Sequence, residues 1–232
     1  MKIDHLNPFP YMFKSTYDFK FEENKDKIFQ ALDHTQEALD YNPNIAVPLE
    51  KDGGISTVVL LGAVHENIHT GEKTEFVPPH AWEEFSDFGR VWLPDYLRTI
   101  WETLKLEPCT RVVSESWINK HPVDAWTSEH DHHNVVLAVT CYLNVPEDSG
   151  RLMVKNPIQM YKYAEPIHHN YWDKSPTTGE DMSWEYIPVK TNDVVVLPGW
   201  LRHKTEPNRN KDNQDRIIMS YNIRYAFNQE LA

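Results

Sequence analysis

Apolar and polar positions change their period partway along this chain. Between Lys25 and Asp40, the residues Ile28, Phe29, Leu32 and Leu39 fall near one face of a helical repeat, which predicts a helix. Thr57 to Val64 is an apolar, β-branched run and predicts a buried strand. Leu93 to Lys105 carries the clearest helical stripe, through Leu93, Leu97, Ile100, Trp101 and Leu104. Pro94 suits its first turn and Pro108 closes it. After that the pattern turns to short extended runs: Arg111 to Trp117, Asn134 to Val145, Gly150 to Lys155, Trp184 to Val189, Val194 to Leu197 and Arg216 to Tyr225. Turn-forming clusters separate several of them, at Pro146 to Gly150, Thr191 to Asp193 and Glu206 to Asp215. Strands at this spacing predict a sandwich or barrel. The expected fold is mainly β with N-terminal α/β elements: a mixed part over 1–110 and a β core over 111–228, within one domain spanning 1–232.

Composition narrows the function. The chain has 232 residues, 40% hydrophobic and 12% aromatic, enough to build a core. Its net charge of -12 is poor equipment for gripping phosphate backbones or anionic lipid, so no nucleic acid partner is expected. No apolar run approaches the roughly 20 residues a membrane-crossing helix needs. The start lacks the basic and apolar regions of a secretory signal, and two cysteines, Cys109 and Cys141, make no disulfide framework. A cytoplasmic protein is the simplest expectation. Gly-rich phosphate loops, nucleophile elbows and CxxC pairs are missing, which leaves nucleotide, serine-hydrolase and dithiol chemistry without support.

Metal chemistry has support. Glu129-His130-Asp131-His132-His133 lies just ahead of an apolar strand. In extended chain, His130 and His132 share a face and Asp131 takes the other, so two imidazoles can meet one divalent ion. His203, after the run Val194 to Leu201, is the candidate third ligand if its strand lies close by; a merely solvated histidine cluster would look the same. Arg216 follows across a polar loop. An antiparallel hairpin of 196–203 with 216–224 would set its guanidinium beside His203, where it could fork onto a carboxylate; the plain alternative is a strand-end arginine paired with Asp215 or Asp193.

A second motif, His65-Glu66-Asn67-Ile68-His69, spells the HExxH of zinc proteases. That chemistry needs both histidines on one helix, and the strand-like run before it with Thr70-Gly71 after it leaves little room. A surface loop is the expected reading. Tyr161 to Met182, with His168-His169, Tyr163, Tyr171 and Trp172, is either a lid or a simple polar excursion.

The ordered set of stretches resembles the iron(II)/2-oxoglutarate-dependent dioxygenases of bacteria and tailed phages. The matching pieces are His130-Asp-His132-His-Asn, Cys141-Tyr142-Leu143-Asn-Val-Pro146-Glu-Asp-Ser-Gly150-Arg-Leu, Asn156-Pro157, Leu197-Pro-Gly-Trp-Leu-Arg-His203-Lys-Thr-Glu-Pro-Asn208 and Arg216-Ile-Ile-Met-Ser220-Tyr-Asn222. Asn7-Pro-Phe-Pro is similar to that family's start. The resemblance implies a double-stranded β-helix (jelly roll) flanked by helices, with iron(II) and 2-oxoglutarate at its open end. It implies that His130, His132 and His203 hold the metal. Arg216 would clamp the distal carboxylate of 2-oxoglutarate, with Ser220, Tyr142 and Asn119 facing the same pocket. The implied reaction converts 2-oxoglutarate and O2 to succinate and CO2 while hydroxylating a small-molecule or peptide substrate.

One departure matters. The wider superfamily writes its ligands HxD…H, and here His132 stands where the acid would be. Three neutral imidazoles leave a +2 ion uncompensated until the cosubstrate dianion arrives. Three other readings therefore stay open: a three-His, cupin-like metalloenzyme that uses no 2-oxoglutarate, a register in which His133 is a ligand, and a non-catalytic jelly-roll binding module. The HExxH protease is the remotest.

Overall fold

The computed structural model describes residues 4–5, 12–41, 54–61, 64–66, 73–103, 110–155, 157 and 183–226. In chain order its strands are β1 (Asp4–His5), β2 (Phe13–Thr16), β3 (Ile55–Ser56), β4 (Val64–Glu66), β5 (Lys73–Glu75), β6 (Thr110–His121), β7 (Leu137–Asn144), β8 (Leu152–Lys155), β9 (Trp184–Ile187), β10 (Asp193–Pro198), β11 (His203–Thr205) and β12 (Arg216–Ala226). Two α-helices, α1 (Phe21–Tyr41) and α2 (Leu93–Thr103), accompany them. Cys109, Leu104, Pro108, Asn156, the Asn7 to Pro10 stretch and the whole 161–182 segment lie outside the described residues.

The large sheet runs β1-β2-β10-β7-β12-β6-β3 and the small one β11-β8-β9. A two-residue bridge between His130 and His203 adds a fourth segment to the small sheet's edge. From β6 onward the chain alternates between them. It passes from β6 to the His130 segment, returns to β7, crosses to β8 and β9, and returns to β10. It then crosses to β11 and ends in β12. Four antiparallel segments thus face four others, which is a double-stranded β-helix, and the fold is mainly β as the sequence pattern predicts. The N-terminal strands β2 and β3 widen the large sheet at its two ends, on β10 and β6.

Alternation on the strands divides the interior in two. On β12, Ile217, Met219, Tyr221 and Ile223 turn outward with Leu137, Val139, Cys141 and Leu143 of β7, into an apolar layer under the helices. From α1, Ile28 and Leu32 are fully buried in it, and from α2, Leu93, Tyr96, Ile100 and Trp101. Cys141 is therefore a core residue, and burial pushes its thiol pKa well up. The opposite residues face between the sheets. There Ala138, Tyr142, Val195, Leu197 and Ile218 meet Leu152, Val154 and Ile187. Polar residues of the same strands, Thr140, Ser220 and Asn222, line a cavity beside this cluster.

Three local expectations need correction. Thr57–Leu60 is a turn of 3-10 helix rather than a strand, started by Ser56, whose hydroxyl accepts from the Val58 amide. The hydroxyl supplies the cap that a central strand residue would not need. His65 and Glu66 sit in strand β4, paired with β5, rather than in a loop. The extended backbone of His65 and Glu66 is not the helix that the zinc-protease motif needs; Asn67 to His69 lie outside the described residues. Finally, β10 and β12 do not pair as a hairpin: β7 lies between them and pairs with both.

Candidate metal centre

The three candidate histidines come together at the mouth between the sheets. His130 and His203 exchange backbone hydrogen bonds (N to O 3.0 and 2.9 Å), which fixes their side chains as neighbours. The His132 amide donates to Gly199 O at 2.8 Å. Gly199 permits this approach because a Cβ there would lie 2.2 Å from Val135 O. Ring centroids are 4.3 Å apart for His130 and His203, 5.1 Å for His130 and His132, and 5.2 Å for His132 and His203. One ligand nitrogen from each lies within 4.8 Å of the other two.

Hydrogen bonds decide which nitrogen that is. Nδ1 of His130 lies 2.8 Å from Ser128 O, and Nδ1 of His203 lies 2.8 Å from Leu201 O. Nδ1 of His132 lies 2.6 Å from Asn222 Oδ1. All three partners are oxygens that accept, so each ring carries its proton on Nδ1 and leaves Nε2 with a free lone pair. Burial lowers the pKa of all three; His130 lowers His132 further, and both of them lower the fully buried His203. Neutral imidazoles with fixed tautomers, converging on one point, fit a divalent cation.

Neighbouring groups stay out of the cluster. His133 is exposed, 3.4 Å from Asp131. Glu129 is held by Lys155 at 2.7 Å and Arg202 at 3.0 Å, and Asp131 leans toward Arg202 at 3.9 Å. Among the described residues the ligand set is three nitrogens and no carboxylate.

A cavity of about 330 Å³ opens beside the histidines, lined among others by Asn119, Thr140, Tyr142, Thr205 and Ser220. Behind that wall lies Arg216, only 1% exposed. It stands across from His121 of β6 and near Thr205, two residues past His203. It reaches this place from the large sheet, facing β11 across the barrel, not through the expected hairpin. Its Nη2 donates to Thr205 Oγ1 at 2.9 Å and Glu206 O at 3.1 Å, and its Nη1 to Ser149 O. Among the described residues no carboxylate oxygen is bonded to it: Glu206 gives both of its oxygens to Arg151. Burial consequently pulls the Arg216 pKa down to about 10, against smaller raising effects of Tyr142 and Glu206. Neither Asp215 nor Asp193 pairs with it: Asp193 holds Lys14 at 2.7 Å, and Asp215 faces Lys120 at 3.8 Å.

Unsatisfied polar atoms gather around this cation. Arg216 Nε, Tyr142 OH and Asn119 Oδ1 are buried without a hydrogen-bond partner. Such atoms are costly unless something fills the gap, and a small anion with several acceptor oxygens suits the first two. The donor set thus fits a metal at the histidines and a carboxylate near Arg216.

Asn222, Glu115 and Trp117 belong to the same site but were not singled out from sequence. Asn222 shares the inward face of β12 with Arg216, Ile218 and Ser220, and Glu115 and Trp117 share that of β6 with Asn119. The alternation signal was there; which inward polar residues touch a histidine depends on the pairing of two distant strands.

Two buried histidines, His121 and His203, and two half-buried ones, His130 and His132, have pKa values lowered by desolvation. Below about pH 6.5 the unfolded chain takes up protons that the metal-free folded chain refuses. Stability should therefore fall as pH drops from 6.5, by up to ~1.4 kcal/mol per pH unit for each fully buried ring. Thermal melts of the metal-free protein between pH 7.5 and 5.5 would measure this. A flat Tm across that range contradicts neutral, buried rings.

Residues 115–222 match a family model described as "Putative 2OG-Fe(II) oxygenase". No curated protein matches the chain. Among solved structures, similar ones include a Pseudomonas putida prolyl-4-hydroxylase, with 15% identity, 93% of each chain covered and a TM-score of 0.46. Another is the viral collagen prolyl hydroxylase of Paramecium Bursaria Chlorella virus-1, with 12% identity over 94% of this chain and 97% of that one, at a TM-score of 0.48. The chain spans only 61% of a 2OG-Fe(II) oxygenase family oxidoreductase from Burkholderia pseudomallei, with 66% of its own length, 13% identity and a TM-score of 0.42. The matched segment contains all three converging histidines and Arg216, and in that stretch the chain is similar to the 2OG-Fe(II) oxygenases.

Proposed function

We propose that the protein is an iron(II)- and 2-oxoglutarate-dependent oxygenase, a hydroxylase, with His130, His132 and His203 as the metal ligands. The observation that carries this is the convergence of three Nε2 atoms whose partner nitrogens are all spent on acceptors. In that role iron(II) with 2-oxoglutarate would supply O2 activation, giving succinate and CO2 as one oxygen atom enters a C–H bond of the substrate.

The chain's own residues hold and orient. His130, His132 and His203 would hold the ion beside the cavity, where it would supply a site for cosubstrate and O2. Tyr142 OH and Arg216 Nε are the donors proposed for the distal carboxylate, with Ser220 and Asn119 on the same wall. Arg216 Nε can donate to a carboxylate oxygen while the guanidinium keeps its bonds to Ser149, Thr205 and Glu206. Leu152 and Ile218, buried in the inner apolar cluster with Val195, form an apolar part of the cavity wall. No residue is asked to act as a general base.

A three-His centre that uses no 2-oxoglutarate is the second reading, favoured by the all-nitrogen ligand set alone. One experiment separates the two. The full chain with iron(II) and 2-oxoglutarate is followed without oxygen by visible spectroscopy, and then with oxygen for succinate release. A weak visible charge-transfer band and slow, substrate-independent succinate formation are expected. Iron(II) binding with neither band nor succinate would favour the second reading. The substrate class, a small molecule or a peptide, is the next target of a succinate-release screen. No helix among the described residues is long and apolar enough to cross a membrane; a cytoplasmic location is part of the same proposal.

A further inference from the structure

Because His132 occupies the acid's place, the ligand set itself carries no negative charge. A carboxylate nevertheless stands one amide away. His132 Nδ1 is 2.6 Å from Asn222 Oδ1, and Asn222 Nδ2 is 2.6 Å from Glu115 Oε2. The direction of this chain is forced. A carboxylate only accepts, so Asn222 must turn its NH2 toward Glu115. The amide oxygen that remains only accepts as well, so His132 must keep its proton on Nδ1.

The fold builds this contact deliberately close. Asn222 of β12 is paired directly with Glu115 of β6, immediately before the register shift between Asn222 and Ile223. Trp117, on the same face of β6 as Glu115, stacks on the His132 ring at 5.9 Å and 22°. His130 and His203 lean on backbone carbonyls instead. His132 is the one of the three whose Nδ1 bond leads to a charged side chain. Arg224 Nη2 touches the other Glu115 oxygen at 3.4 Å, a longer contact than the one to Asn222.

We propose that Glu115, acting through Asn222, is a positioning residue that supplies the centre's missing carboxylate at one remove. This rests on reading the three histidines as the metal site. The Glu115 charge polarises the Asn222 amide, whose oxygen then draws the Nδ1 proton and makes Nε2 of His132 a more electron-rich ligand. Part of the +2 charge is thereby balanced before any anion binds, at the ligand position where the wider pattern places its acid.

The test uses cobalt(II) alone as the probe, titrated into the metal-free full chain by calorimetry and followed by its visible d–d bands. Glu115→Gln removes the charge and keeps an acceptor for Asn222; it should weaken cobalt(II) binding by ~10–100-fold, as loss of an outer partner does. Glu129→Gln, which removes the acid next to His130 in sequence, one tied to Lys155 and Arg202, should leave the affinity unchanged. The double variant Glu115→Gln with Asn222→Asp moves the charge onto the group that touches His132 and should restore the affinity to near wild type. A merely structural role for Glu115 would not produce that rescue. If Glu115→Gln binds cobalt(II) as tightly as wild type, or if the folded double variant stays as weak as the single one, the proposal falls while the metal site stands. If the wild-type chain binds no cobalt(II), both fall together. Should Glu115→Gln fail to fold, the double variant alone decides: wild-type affinity supports the relay, and a loss of tenfold or more overturns it.

Discussion

His203→Ala should lose metal binding by more than the ~100-fold that removal of an outer partner costs, and with it all succinate formation. The ligand count explains the size. Three imidazoles are all the protein offers among the described residues, and Glu129, Asp131 and His133 are paired or exposed elsewhere, so none stands ready to replace the missing nitrogen. The variant should still fold, because the bridge between residues 130 and 203 is made by backbone atoms. Its metal-free form should even be less acid-sensitive than wild type, since one of the two rings held furthest below the ordinary histidine range is gone. Thermal stability gives a readout independent of turnover. An ion at 100 times its Kd should stabilise the wild type by about 2.7 kcal/mol and the variant by almost nothing. An equal metal-induced rise in Tm for both proteins would remove His203 from the centre.

That histidine also marks how far the sequence could be read. The long strands β7, β10 and β12 were legible because their alternation is regular and both of their faces are buried: Val194 and Val196 point one way, Val195 and Leu197 the other. The 11-residue helix α2 was legible from its stripe. Strand β11 was not, because His203-Lys-Thr205 is three residues long and carries no apolar alternation. Its existence depends on β8, whose Val154 it faces. Thr57–Leu60 failed for the opposite reason: an apolar run has the composition of a strand, but a serine hydroxyl ahead of it starts a 3-10 turn. Sequence proximity suggested a hairpin between β10 and β12, whereas a double-stranded β-helix sends consecutive segments to opposite sheets and slots β7 between them. The candidate ligands were visible as residue types at a suitable spacing. Their outer partners were not, because Asn222 and Glu115 meet only through a pairing of strands far apart in the chain.

Arg216→Lys should raise the KM for 2-oxoglutarate by ~10–100-fold while leaving metal-induced stabilisation intact, the reverse of the His203→Ala pattern. Lysine keeps the charge but loses the planar fork, and a fork already holding Ser149, Thr205 and Glu206 needs a remaining donor to meet a carboxylate. Arg216 Nε is that donor, and it has no partner among the described residues. The lowered pKa of this guanidinium, about 10, says that its charge is buried without full compensation, at a cost on the order of 3 kcal/mol. An incoming dianion would offset that cost, which is the physical reason to expect tight cosubstrate binding here rather than at any exposed arginine. Tyr142→Phe sharpens the argument, because its hydroxyl is equally buried and unpartnered. Removing it should leave the unliganded protein as stable or slightly more so. The same change should weaken 2-oxoglutarate by several-fold, about the worth of one hydrogen bond to a charged group. Were both variants to bind 2-oxoglutarate as the wild type does, the anion pocket would lie elsewhere, and the three-His centre without 2-oxoglutarate would become the better account of the same histidines.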